Sequence, residues 1–65
     1  MSQYTISTDS QVQTIEASDI DAAAQQFDRR VKTMDALVSK ITGMDGWITV
    51  TEDGGTVVQA GTTDR

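Results

Sequence analysis

Asp19-Ile20-Asp21-Ala22-Ala23-Ala24-Gln25-Gln26-Phe27-Asp28-Arg29-Arg30-Val31-Lys32-Thr33-Met34-Asp35-Ala36-Leu37-Val38-Ser39-Lys40-Ile41-Thr42-Gly43 is the stretch on which the fold turns. Its apolar positions Ile20, Ala24, Phe27, Val31, Met34, Val38 and Ile41 are spaced 4, 3, 4, 3, 4 and 3 residues apart. That spacing keeps one side of an α-helix apolar over three heptads. Ser18 stands where a side chain can cap the first free amides, and Asp21 occupies the capping-box position. Gly43 is a natural stop, and Lys40 near the C-terminal end suits the helix dipole. The reading is one helix from Asp19 to Thr42, 24 residues, roughly 36 Å long at ~1.5 Å per residue.

The flanks of this stretch alternate with a period of two. Gln3–Thr8 sets Tyr4, Ile6 and Thr8 against Thr5 and Ser7, Thr8-Asp9-Ser10 has turn chemistry, and Gln11–Ala17 follows as a second strand. Val12 and Ile15 have opposite parity, so one of them faces solvent or the strand bulges. On the other flank, Trp47–Thr51 and Thr56–Ala60 surround Glu52-Asp53-Gly54-Gly55, a hairpin signal. A two-residue turn would set Val50 opposite Val57. A three-residue turn with a bulge would set Val50 opposite Val58 and Ile48 opposite Ala60, and is preferred because it makes one clean apolar side. Trp47 then falls on the face opposite Ile48 and Val50. The predicted architecture is α+β in two layers: an antiparallel sheet of about four strands in the order β-β-α-β-β, with one long helix across it. Residues 1–61 form a single domain, and 62–65 a frayed tail.

This layout contains a mismatch of length. A strand of five or six residues spans roughly 17–20 Å, half of what the helix spans. Either the helix breaks near Thr33, or its second half meets another chain. A chain of 65 residues whose only aromatics are Tyr4, Phe27 and Trp47 is also short of core. A homodimer is therefore expected, with Phe27, Val31, Met34, Leu37, Val38 and Ile41 as its seam; the alternative is a plain amphipathic helix packed on its own sheet.

Charge is distributed as unevenly as hydrophobicity. The chain carries ten acids against five bases, a net charge of −5. Residues 1–28 hold Asp9, Glu16, Asp19, Asp21 and Asp28 with no Lys or Arg, whereas residues 29–65 balance to zero. Direct nucleic-acid binding needs the opposite sign. Asp21, Asp28 and Asp35 recur every seven residues along one edge of the expected helix. They are the candidate acidic interaction edge, able to stand in for phosphates on a basic nucleic-acid-binding protein. The alternative is a solvated helix face that keeps a small protein soluble. Trp47 is the candidate exposed anchor, since an aromatic on a sheet face suits a binding hot spot; the alternative is that it closes the end of the core or a dimer interface.

Chemistry finds little material in this chain. Without Cys or His there is no disulfide, no zinc site from those ligands, no Ser–His–Asp triad and no thiol nucleophile. Glu52-Asp53 is better explained as turn geometry than as a carboxylate dyad, and the loop around Asp45 lacks the alternating acids of a calcium site. No catalytic residue, metal site or cofactor is expected. No apolar run exceeds four residues, so no membrane span is expected. Met1-Ser2-Gln3-Tyr4 lacks the blocks of a signal peptide, which makes the cytoplasm the expected location.

The run Thr14-Ile15-Glu16-Ala17-Ser18-Asp19-Ile20-Asp21-Ala22-Ala23 leads from a strand through a cap into an Ala-rich helix, and Trp47-Ile48-Thr49-Val50 with Glu52-Asp53-Gly54-Gly55 follows as a hairpin. In layout this resembles small phage-encoded accessory proteins, among them some anti-CRISPR proteins. The resemblance implies a non-enzymatic inhibitor or adaptor that binds a host protein in the host cytoplasm. A self-associating structural subunit, of a virion or another homo-oligomer, is the rival expectation from a different class.

Overall fold

A computed structural model describes residues 1–61; the expected frayed tail, 62–65, lies outside the described residues. The order along the chain is β1 (Ser2–Thr8), β2 (Val12–Ala17), α1 (Ile20–Phe27), α2 (Met34–Gly43), β3 (Trp47–Glu52) and β4 (Gly55–Gly61). The protein is thus α+β with the four expected strands, but two short helices replace the single long one. Among the described residues the strands form one antiparallel sheet in the order β2-β1-β3-β4. Both helices lie on one face of it, α1 against β2 and β1, and α2 against β3 and β4.

The break in the helix corrects the expectation of a continuous 24-residue rod, and its cause is tertiary. Helices of eight and ten residues are roughly 12 and 15 Å long at ~1.5 Å per residue, within the span of the sheet beneath. The chain leaves α1 at Asp28, which is extended, and re-enters helix at Thr33. Thr33 caps α2 by accepting the Ala36 amide at 3.1 Å. Asp21 does not cap its own helix; it accepts the amide of Met34 at 2.9 Å, and so satisfies the second helix from the first. The cap of α1 is Asp19, not Ser18, through a bond from the Ala22 amide at 2.8 Å.

Folding the helical stretch back on itself changes what its seam does. Val31, Met34 and Leu37 are buried in the chain's own core, and Phe27, Val38 and Ile41 are half-buried against it. The residues expected to meet a second chain instead face Tyr4, Ile6, Ile15, Ile48 and Val50 of the same chain. The periodicity identified inward-facing positions, and it is the sheet that they face.

Strand registers follow the alternation. Val12 faces solvent and Ile15 is buried, which resolves their opposite parity without a bulge in β2. In the second hairpin Val50 pairs with Val58 and Ile48 with Ala60, the preferred register. It is reached through a two-residue turn, Asp53 (φ 51°) and Gly54 (φ 93°), plus an extra residue, Val57, between the Val50–Val58 and Thr51–Thr56 pairs. Positive φ at both turn positions is the reason Asp-Gly works there. The hairpin end is tied to β1 reciprocally: the Gln3 amide donates to Asp53 Oδ1 at 2.9 Å, and the Asp53 amide donates to the Gln3 carbonyl at 2.8 Å.

Candidate functional site

Covering one sheet face with helices leaves the other uncovered. That outer face carries Thr14, Thr5, Thr51 and Thr56 in one row across all four strands, and Val12, Ser7, Thr49 and Gln59 in the next. The Thr5 and Thr14 hydroxyls lie 3.5 Å apart. β-Branched residues on both faces favour the strands, while hydroxyls keep the outer one compatible with water. Neither row carries a charge; Glu16, paired with Gln3 in the row beyond Thr14 and Thr5, is the charged β2 residue.

Trp47 stands at the end of this face, as its parity predicts. It is half-buried, and with Thr49, Gln59, Ala60 and Gly61 it lines a shallow cleft of about 190 Å³. Gly61 shapes the cleft. At φ 130° it sits so close to the neighbouring strand that a Cβ would lie 2.4 Å from Trp47 Cα and 2.6 Å from the Gly46 carbonyl oxygen. The cleft thus combines an aromatic ring with an amide and a hydroxyl and has no charged lining residue, an arrangement suited to holding a neutral or apolar group.

The three aspartates do not form a row, because the helix that would align them is interrupted. Asp21 is engaged with the Met34 amide. Asp28 binds the Lys40 ammonium and accepts from the Arg30 amide at 2.9 Å, with the Arg30 Nε at 3.4 Å. Asp35 remains exposed in the first turn of α2. Two of the three carboxylates therefore hold the helix pair together. The residues that sequence reasoning missed are Thr49, Gln59 and Gly61 beside Trp47; the available signal was the absence of charge from Gly55 to Gly61.

Asp28 makes this helix junction sensitive to acid. The Lys40 side chain, then the Arg30 amide, lower its pKa from 3.8 to about 2. A carboxyl held below its unfolded value contributes stability at pH above 3.8, and that contribution disappears as pH falls through about 2. Asp28→Asn should be less stable than the native chain at neutral pH, and the two stabilities should converge as pH drops through this window. Urea titrations at a series of pH values would show it; a constant difference down to pH 2 would contradict the assignment. Elsewhere, burial and the Glu52 carboxylate raise the pKa of Tyr4, whose hydroxyl donates to Glu52 Oε2 at 3.2 Å. That pair joins β1 to β3 inside the fold rather than forming a reactive site.

Among the described residues no three or more Asp or Glu side chains gather as a metal site. No helix among them is long and apolar enough to cross a membrane. No protein-family model matches the chain, and comparison with curated proteins and with solved structures found no match.

Proposed function

We propose that the protein is a non-enzymatic protein-interaction module whose contact surface is the uncovered sheet face at its Trp47 end. The observation that carries this reading is the lone Trp47 set on the face away from the core, beside a cleft lined by Thr49, Gln59 and Gly61. Half-exposed aromatics in such surroundings supply large contact area at small entropic cost. The net charge of −5 favours a basic partner, such as a nucleic-acid-binding protein, by steering encounter. A phage or mobile-element inhibitor or adaptor acting on a host protein is the most specific version, and it rests on the strand–helix–hairpin layout.

Trp47 gives the test. Tagged native chain and tagged Trp47→Ala are exposed to lysate of the native host and the captured proteins compared, with circular dichroism confirming that the variant is folded. A protein held by the native chain and lost from folded Trp47→Ala, with partial recovery in Trp47→Tyr, is the expected result. Equal capture by native and variant chains, or capture by neither, would overturn the reading.

A further inference from the structure

The sheet ends on two unlike edges. At β2 the helix-facing Ile15 and Ala17 are buried, and Glu16 places a charge on the strand. At β4 no residue from Gly55 to Gly61 is charged, and the helix-facing Val58 and Ala60 are only half-buried. Both helices leave apolar residues half-buried, Ile20 and Phe27 on α1 and Val38 and Ile41 on α2, so the two rims differ in their strand residues. The apolar layer is closed at the β2 rim and open at the β4 rim. Edge strands are ordinarily blunted by charge, Pro or a bulge; here the bulge at Val57 interrupts the ladder and leaves Val58–Gly61 as its straight part. This is the part beside the Trp47 cleft.

We propose that the Val58–Gly61 edge of β4 accepts a short extended peptide of the partner as a fifth strand, with apolar side chains at alternate positions and Lys or Arg between them. The inference rests on the reading of the protein as an interaction module and specifies how it binds. Main-chain bonds to a sheet edge give affinity, and the two-residue alternation sends successive side chains to opposite faces. On one face they meet Val58 and Ala60; on the other, Trp47 and Gln59. Charge selects the occupant. At the Trp47 end, Asp45 lies two residues before Trp47 and the Asp9 carboxylate lies beside Gly46, where a Cβ would stand 3.3 Å from its Oδ1, so this end of the molecule is electrostatically complementary to a basic segment. A second copy of the chain would bring its own Asp9 and Asp45 to the junction, where like charges oppose each other.

The test is a titration of the ¹⁵N-labelled full chain with the synthetic peptide Lys-Val-Lys-Val-Lys-Val, and with Glu-Val-Glu-Val-Glu-Val as its counterpart. Amide shifts concentrated at Val58–Gly61 together with the Trp47 indole, and at least tenfold weaker binding of the acidic peptide, are expected. Val58→Lys should weaken binding of the basic peptide at least tenfold. Asp45→Asn, at an exposed left-handed position (φ 61°) that Asn tolerates, should weaken it severalfold with the fold intact. Shifts centred elsewhere, equal binding of both peptides, no binding, or sedimentation showing a dimer through β4 at the same concentration would each overturn the proposal. If the peptide fails while Trp47-dependent capture persists, strand addition alone falls; if capture ignores Trp47, the interaction-module reading falls.

Discussion

Leu37→Ala should remove a large share of the stability of the chain. Leu37 is fully buried, one of four large side chains in that state with Ile6, Ile48 and Val50. Truncating a buried Leu to Ala costs about 2–5 kcal/mol, depending on how far the surroundings collapse into the space. A globular chain of 65 residues has a total stability of roughly 3–10 kcal/mol, so the loss is comparable with the whole. Collapse is restricted here, because the sheet on one side is rigid and the helix that carries Leu37 is anchored at Thr33, Asp21 and Lys40. Urea denaturation followed by circular dichroism is the measurement. Val12→Ala, at an exposed position, should move stability by no more than about 0.5 kcal/mol. Leu37→Ala as benign as Val12→Ala would mean that α2 does not pack as described.

Leu37 also shows how the sequence was legible in part. The heptad spacing marked Ala24, Val31 and Met34, which are buried, but the fully buried Leu37 lies beside that spacing, while Val38 and Ile41 on it are only half-buried. What it could not mark was the break itself, which the mismatch between helix and strand lengths raised as one of two alternatives near Thr33 and which the structure shows between Phe27 and Met34. No Gly or Pro lies between Asp28 and Thr33, so the usual punctuation is missing and the apolar period runs on without a phase change. The local signal was Thr33, a capping residue with an acid two positions later at Asp35. The decisive interaction joins Asp21 to Met34, thirteen residues apart, and propensity contains no term for that. The same distinction governs the acidic edge. Seven-residue spacing aligned Asp21, Asp28 and Asp35 only on a straight helix. Their partners could be assigned only after the chain had doubled back.

The sheet was more transparent because its period is two and its turn is local. Alternation placed Trp47 opposite Ile48 and Val50, and clean burial of one face selected the Val50–Val58 register over its competitor. The role of β4 as an under-covered edge depended on strand order, which alternation does not carry. β1 and β3 became the central pair only because the helical connection crosses over β1 and delivers β3 to its far side.

Gly61→Ala should disrupt the end of this edge more than its position at a strand terminus implies. From the sequence Gly61 is simply the last residue of the domain. In the structure it combines φ 130° with an approach to β3 in which a Cβ would stand 2.4 Å from Trp47 Cα and 2.6 Å from the Gly46 oxygen. The obstructing atoms are backbone, so rotating a side chain does not relieve the clash. Left-handed strain costs about 1–3 kcal/mol and overpacking typically about 1–3 kcal/mol more. The less costly escape is to release β4 from β3 between Val58 and Gly61, exposing the inner side of the Trp47 ring. The variant should therefore show a lower urea midpoint, a red-shifted Trp47 emission and faster amide exchange at Val58–Gly61, with Leu37 remaining protected. Gly43→Ala supplies the contrast. A Cβ there meets nothing within 4 Å and no positive φ is required, so that substitution should be neutral or stabilising by up to about 1 kcal/mol. Equal effects at the two glycines would contradict the close β3–β4 approach. If Gly61→Ala frees the edge while α2 stays packed, the Val58–Gly61 stretch is an opening unit separable from the core, and its peptide binding should weaken in parallel with its loss of protection.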